Sequence, residues 1–176
     1  MVSVPFVLSK ITPLSLGQTT MLLYILFVGI QVVLLKKMTI KIAMQIPFSF
    51  AFGILVDYLD VFLNIVPSNI FMSLFYLALA IIITALGAYL MVSMDVILNP
   101  CDGIVDTSAK VLKSNFGKMK MIFDCGMVFT SLVISYIFAH TFIGFGIGTF
   151  ISALTIGRMI SFYAKHLDCQ LKKFRS

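Results

Sequence analysis

Long apolar stretches divide the chain into five segments, each long enough to cross a lipid bilayer. They lie at about Thr19–Leu35, Ile42–Ile65, Ile70–Met94, Met119–Ala139 and Phe142–Ala164. A hydrocarbon core about 30 Å thick requires about 17 to 25 apolar residues in a helix. Because a helix satisfies its own backbone hydrogen bonds in lipid, the pattern predicts an all-α polytopic membrane protein with about five transmembrane helices.

The composition supports a bilayer as the surrounding medium. Hydrophobic residues make up 60% of the chain and charged residues 11%, and the mean hydropathy is +1.08. Soluble domains carry about 25% charged residues. A net charge of +6 is compatible with nucleic-acid binding, but the Lys and Arg residues lie in short clusters between apolar segments. Since nucleic-acid binders spread such residues over a solvated face, we expect lipid as a partner and no nucleic acid.

Three basic clusters predict the orientation of the chain in the membrane. They follow the first segment, precede the fourth and follow the fifth: Lys36, Lys37 and Lys41; Lys110, Lys113, Lys118 and Lys120; Lys165, Lys172, Lys173 and Arg175. The other two connections carry no Lys or Arg. Basic loops face the cytoplasm, so we expect a cytoplasmic C-terminus and external residues before the first segment.

Two short sequences recur and indicate an internal repeat. Ser15-Leu16-Gly17-Gln18 aligns with Asn115-Phe116-Gly117-Lys118, and Ala51-Phe52-Gly53-Ile54-Leu55 aligns with Thr155-Ile156-Gly157-Arg158-Met159. An odd number of spans between equivalent positions reverses the second copy. The pattern therefore predicts a fold derived from a 3+3 inverted-repeat architecture with interfacial segments, as in many secondary transporters.

The two predicted copies differ in the number of spans. Residues 1–66 would form the first repeat, with an interfacial segment and two membrane helices but without a first helix. Residues 67–176 would form the second repeat, with three membrane helices, an interfacial loop at 95–118 and a basic C-terminal tail.

A turn motif follows the third segment. Asn99 and Pro100 precede Cys101, Asp102 and Gly103, and the next ten residues alternate loosely between apolar and polar side chains. This pattern predicts a short helix at the membrane interface, with Asp102 as its capping residue. Pro100, Asp102 and Gly103 form the interfacial turn motif.

Two motifs resemble those of the YczE/YyaS/YitT-like family of uncharacterised bacterial integral membrane proteins. They are Pro100-Cys101-Asp102-Gly103, and Gly146-Ile147-Gly148-Thr149 leading through Ala153 to Ile156-Gly157. The resemblance implies a bacterial inner membrane, a repeated fold of about six helices and one further membrane helix at the start. It implies no particular activity. Cys101 and Arg158 depart from the residues usual in that family.

Charged residues inside spans are candidate functional residues, because each costs about 2.5 to 3.5 kcal/mol on insertion scales. Asp124 and Arg158 lie at similar depths from the cytoplasmic ends of the fourth and fifth segments. We expect them to form an ion pair, which would act as a gate, hold an anion-binding Arg158 or be purely structural; alternatively, Arg158 extends to the headgroups.

The outer end of the second segment carries two carboxylates on one helix face, Asp57 and Asp60. Residues three apart in a helix are neighbours on its surface. Asp57 is a candidate for binding a cation or relaying protons. In the alternative interpretation, both carboxylates lie in the external interface.

Glycines precede Thr149 at the start of the fifth segment. Gly144 and Gly148 are spaced for close helix packing. Alternatively, Gly146 and Gly148 let the helix start unwind, so that Thr149 and backbone amides face a ligand. Other polar residues in spans are as suited to interhelical hydrogen bonds as to substrate contacts: Gln45, Ser49, Thr130, Ser131, Ser135 and Ser152.

The sequence contains no recognisable set of catalytic residues. No Ser-His-Asp arrangement, paired general acids or phosphate loop can be assembled, and Cys101, Cys125 and Cys169 share no close spacing. We expect no enzyme, no metal and no cofactor.

The function expected from these features is that of a small-solute permease or substrate-binding membrane subunit in the bacterial cytoplasmic membrane, alone or as a homodimer. The alternative is a non-transporting scaffold or accessory subunit of a larger membrane complex. The candidate ligand or gating residues are Asp57, Asp124, Arg158, Gly146, Gly148 and Thr149.

Overall fold

A computed structural model describes residues 3–62, 69–94, 96–140 and 146–174. It describes side chains as far as residue 167, with the exception of residue 139. Within these ranges the chain forms helices and no strand. The seven helices are α1 (Ser3–Ile11), α2 (Leu16–Leu35), α3 (Ile40–Phe62), α4 (Ile70–Ser93), α5 (Pro100–Val111), α6 (Phe116–Ala139) and α7 (Ile147–Phe174).

Five helices are long and apolar enough to cross a membrane, namely α2, α3, α4, α6 and α7. The chain is therefore an all-α, multi-pass membrane protein, as the apolar pattern predicts. Both α2 and α6 begin three residues earlier than expected, because polar side chains cap them. The Ser15 hydroxyl accepts a hydrogen bond from the Gln18 amide, and the Asn115 side chain accepts one from the Gly117 amide.

The fifth span differs most from its predicted bounds. Helix α7 begins at Ile147 and continues to Phe174, whereas the apolar pattern predicts a span from Phe142 to Ala164. Phe142 and Gly144 lie outside the described residues, as does the predicted external connection at Pro67 and Ser68.

The two short helices pack among the long ones. Helix α1 contacts α2 and α6, and α5 contacts α2, α3 and α6. The segment after Asn99 forms the predicted short helix, but most of α5 packs against other helices rather than standing exposed. Eight of its twelve residues are buried, and only its last turn, from Lys110, is exposed.

The long helices form two close pairs, α2 with α3 and α6 with α7, while α4 packs against α7. Ile81, Ala85 and Tyr89 of α4 form a core with Ile156 and Ile160 of α7. A second core joins the two halves of the chain, since Tyr24 and Phe27 of α2 pack against Cys101, Ile104 and Val105 of α5. The short helix α5 therefore connects the first helix pair to the second.

Each helix pair is closest at a pair of glycines. A Cβ atom added to Gly17 would collide with the carbonyl oxygen of Gly53, and one added to Gly117 would collide with that of Gly157. Small residues let helix backbones approach closely in membranes. These four glycines are the ones at corresponding positions in the repeat motifs.

Candidate functional site

A cavity of about 470 Å³ lies between α1, α4, α6 and α7, and we call it the Asp124 cavity. Its polar lining consists of Asp124, Ser3, Thr84, Thr149 and Ser152, and its apolar lining includes Phe6, Leu77, Met127, Val128, Ala153 and Ile156. Ligand cavities commonly measure 300 to 1,000 Å³ and combine an apolar wall with a few polar groups. The volume and the lining of the Asp124 cavity fall within this range.

The carboxylate of Asp124 is the most unusual group in this cavity. The residue is 1% exposed, and neither of its oxygens has a hydrogen-bond partner among the described residues. Its charge is only partly balanced by Lys120, one helical turn away, whose Nζ atom lies 3.4 Å from Asp124 Oδ1. Buried carboxylates are normally hydrogen bonded, so this one has capacity to accept bonds from a ligand.

Lys120 is held more tightly by a different carboxylate. Its Nζ donates a hydrogen bond to Oδ1 of Asp102 at 2.6 Å, and both side chains are buried. Asp102, Lys120 and Asp124 thus form a buried cluster of two negative charges and one positive charge. The carboxyl group of Asp124 is the less satisfied of the two, and it lines the cavity.

The predicted ion pair between Asp124 and Arg158 is wrong. Arg158 is exposed on the outer face of α7, although its neighbours Ile156 and Gly157 are buried. Similar depth along two helices does not place two side chains on facing surfaces, because the rotation of each helix depends on its packing. Asp124 pairs instead with Lys120 on its own helix.

The first turn of α7 forms one wall of the Asp124 cavity. Gly148 and Thr149 line it, whereas Gly146 does not. A Cβ added at Gly148 would lie 3.3 Å from Leu77 of α4, so this glycine allows close packing as well. Three of the six candidate ligand residues, Asp124, Gly148 and Thr149, therefore meet in one cavity.

Helix α7 begins about half way along α6. The two helices run antiparallel, with Ser161 near Asn115 and Gly157 against Gly117. Equal steps of 1.5 Å per residue from that contact place Ile147 level with Met127. The amino-terminal end of α7 thus lies level with the middle of α6 rather than with its far end.

Asp57 has a structural role in the described fold. Its Oδ2 accepts a hydrogen bond from the Ser15 hydroxyl at 2.7 Å, and its Oδ1 accepts one from the Gly17 amide at 2.6 Å. The carboxylate of α3 therefore binds the amino-terminal end of α2, where the helix dipole favours a negative charge. Asp60 is exposed one turn further on, at the end of α3.

The turn motif before α5 differs from its predicted arrangement. Asn99, rather than Asp102, caps the helix by accepting a hydrogen bond from the Asp102 amide at 2.8 Å. Asp102 lies in the first turn and accepts bonds from Asn99 Nδ2 and from Lys120. Pro100 occupies the start of the helix, where a missing amide hydrogen costs nothing.

Gly103 lets two glutamine side chains approach α5. A Cβ added there would lie 2.5 Å from Gln45 Nε2 and 2.8 Å from Gln31 Oε1. Gln31 Nε2 donates to Gln45 Oε1 at 2.9 Å and to the Pro100 carbonyl oxygen at 3.3 Å.

Next to these groups, burial raises the pKa of the Cys101 thiol to about 11, so Cys101 is a neutral packing residue at physiological pH.

A second cavity, of about 710 Å³, lies between α2, α3 and α5, and we call it the Gln31 cavity. Gln31, Gln45, Gly103, Asp106 and Thr107 line its inner part, and Lys41 and Lys110 lie among its outer residues. Lys110 is paired with Asp106 at 2.6 Å. This cavity therefore opens among residues of two of the basic clusters.

Lys120 is the site residue that sequence reasoning missed. It belongs to the basic cluster before the fourth span, and the sequence alone places that cluster, including Lys118, in a cytoplasmic loop. The spacing of Lys120 and Asp124, one helical turn apart, was a signal that both face the same way. Within the part of the chain that the structure describes, no group of three His, Cys or Asp residues is placed to hold a metal ion.

A family model matches residues 1–165 of the chain. The matching model is that of a family of unknown function, DUF6198. The chain belongs to this family. No curated protein and no solved structure matches the chain. Membership of DUF6198 assigns no reaction or solute.

Proposed function

We propose that the protein is a small-solute permease, or the solute-binding subunit of one, and that the Asp124 cavity is its solute site. The observation that carries this proposal is the buried carboxylate of Asp124, which lines a cavity of about 470 Å³ without a hydrogen-bond partner among the described residues. An ionisable group in a membrane span raises the free energy of insertion. Binding a solute is a function that would explain why the group is retained.

The contacts between helices support an origin from two inverted copies. In the first copy, α1 and α2 precede α3; in the second, α5 and α6 precede α7. The glycine contacts of the two helix pairs correspond, and α1 packs on α6 as α5 packs on α2. The chain crosses three spans, α2, α3 and α4, between the start of α2 and the start of its counterpart α6, so the two copies would have opposite orientations.

The two cavities correspond under the same alignment. The offset that lays Gly17 over Gly117 lays Ser3 of the Asp124 cavity over Gly103 of the Gln31 cavity. The offset that lays Gly53 over Gly157 likewise lays Gln45 over Thr149. Corresponding cavities in inverted repeats open to opposite sides of the membrane during transport. We therefore assign the Gln31 cavity to the cytoplasmic access route, next to Lys41 and Lys110.

Uptake into proteoliposomes tests the proposed function. Purified protein is reconstituted and supplied with labelled amino acids, vitamins and organic ions, and Asp124→Asn is compared with Asp60→Asn, which makes the same change at an exposed carboxylate. We expect uptake by the unchanged protein and by Asp60→Asn, and loss of uptake by Asp124→Asn. Folded protein that neither binds nor transports any solute would contradict the proposal.

Crosslinking in native membranes, followed by mass spectrometry, tests the rival function of a scaffold or accessory subunit. A permease that works alone or as a homodimer predicts crosslinks within the chain or between its copies. A different protein recovered in a constant ratio would favour the accessory role, provided that the reconstituted chain is inactive.

The orientation belongs to the same proposal and has its own test. Single cysteines at Lys37, Lys113 and Asp60, in a protein whose natural cysteines are replaced by serine, are labelled from outside intact bacteria. We expect labelling at position 60 alone, because the basic clusters and the C-terminus are cytoplasmic. Labelling at position 37 or 113 would reverse the assignment.

A further inference from the structure

We propose that the solute of the Asp124 cavity is a small zwitterion, with its ammonium group on Asp124 and its carboxylate on the first turn of α7. This inference rests on the proposed function and adds the chemical class of the solute. It combines the charge of the buried cluster with the position at which α7 begins.

The negative end of the cavity calls for a cationic donor. Asp102 and Lys120 satisfy each other through a 2.6 Å bond, which leaves Asp124 with a single 3.4 Å ion pair and no hydrogen bond among the described residues. No described Lys or Arg side chain lines this cavity. An ammonium group would supply both the missing charge and the missing hydrogen bonds.

The opposite wall offers donors for an anion. A helix leaves the amides of its first turn without partners inside the helix, and its amino-terminal end carries a partial positive charge. Side chains cap α2, α5 and α6 at Ser15, Asn99 and Asn115. At α7 the preceding residue is Gly146, which has no side chain to serve as a cap. The Thr149 amide already donates to the Gly146 carbonyl oxygen at 2.9 Å, so the donors suited to a carboxylate are the Gly148 amide and the Thr149 hydroxyl.

The shared lining of one cavity makes both contacts available to one solute. Asp124 is 1% exposed and lies in α6 about one turn from Met127, the residue level with the start of α7. Gly148 and Thr149 line the same cavity as Asp124. A solute that occupies it therefore meets a carboxylate on one side and a helix amino terminus on the other.

Binding by matched compounds tests the inference on the unchanged protein. Purified full-length protein in detergent is titrated calorimetrically with each common α-amino acid, and then with the amine and the carboxylic acid that each lack one charged group of the best ligand. We expect the amino acid to bind at least tenfold more tightly than either fragment, with the amine ahead of the acid. Equal binding by the amine would overturn the role of α7, and stronger binding by the acid would overturn that of Asp124.

Two variants keep the test independent of folding. Asp124→Asn is expected to weaken amino-acid binding at least tenfold, and Thr149→Val severalfold, while Asp60→Asn leaves it unchanged. If amino acids are inert but a neutral or anionic solute is transported in proteoliposomes, the zwitterion assignment fails and the proposed function stands. If no solute of any class binds or is transported, the proposed function itself fails.

Discussion

Asp57 and Asp124 are both carboxylates within membrane-spanning helices, but their surroundings differ. Asp57 accepts two hydrogen bonds, from Ser15 and Gly17, and so joins α3 to the start of α2. Asp124 accepts none from the described residues and faces a cavity. The position of a charged residue in a membrane helix therefore does not reveal its role. The donors around it distinguish a carboxylate that holds two helices together from one that is available to a solute.

The largest expected effect on stability comes from removing Lys120. Lys120→Met leaves Asp102 and Asp124 buried without their shared cation, and we expect a loss of about 3 to 5 kcal/mol of unfolding free energy. Lys118→Met is the matched control, because Lys118 is exposed two residues earlier. Thermal unfolding in detergent measures both. An equal, small effect of the two variants would show that the charge cluster is not needed for folding.

The second-largest effect on stability is expected at the glycine contacts of the two helix pairs. Gly17→Ala and Gly117→Ala place a methyl group against the facing carbonyl oxygen, and we expect each to cost about 1 to 3 kcal/mol. Gly29→Ala and Gly126→Ala are the controls in the same helices, since nothing lies within 4 Å of a Cβ there. The controls should be neutral or slightly stabilising, because alanine favours helix. Unfolding temperatures that fall equally in all four variants would refute the close contacts.

Removing the Asp57 carboxylate is expected to have a moderate effect. Asp57→Ala deletes the acceptor for the Ser15 hydroxyl and the Gly17 amide, which should cost about 1 to 2 kcal/mol. Solute binding should remain unchanged. Asp60→Ala serves as the control and should leave the unfolding temperature within error. If Asp57→Ala abolished transport in a stable protein, the contrast drawn between the two carboxylates would fail.

The smallest stability effect is expected at Asp124. Asp124→Asn removes a charge that is poorly satisfied, while Lys120 keeps its bond to Asp102, so unfolding should change by less than about 1 kcal/mol. Solute binding should be lost in the same protein preparation. Unfolding measured beside calorimetric titration checks both statements. A protein that unfolds several kcal/mol more easily would mark Asp124 as structural, like Asp57.

The five spans were predictable because apolar length is a property of the sequence itself. The capped starts of α2 and α6 carried recognisable signals in Ser15 and Asn115, but the burial of α5 did not. Its first nine residues include Asp102, Asp106 and Thr107, which read as an interfacial segment. Asp102 is buried only because Lys120, from the next helix, neutralises it, and that contact depends on tertiary packing.

The candidate site could be predicted only in part, because it also depends on tertiary packing. Asp124, Gly148 and Thr149 were identified as candidates from residue type and depth, and the structure brings them together. The predicted partner of Asp124 is wrong, because the depth of a residue along a helix does not determine the direction in which its side chain points. Arg158 turns outward because Gly157 must face α6, and only the packing of the two helices determines that direction.

The amide pair of Gln31 and Gln45 affects how the protein is made. These side chains enter the bilayer with the earliest spans, but Pro100 and Gly103, which bury them, leave the ribosome about sixty residues later. During that interval Gln31 and Gln45 can bond to each other, but Gln31 lacks its bond to the Pro100 carbonyl oxygen and neither side chain is covered by α5. A truncated chain that ends before α5 would never bury the side chains of Gln31 and Gln45. We expect quality-control proteases of the membrane to degrade such a chain.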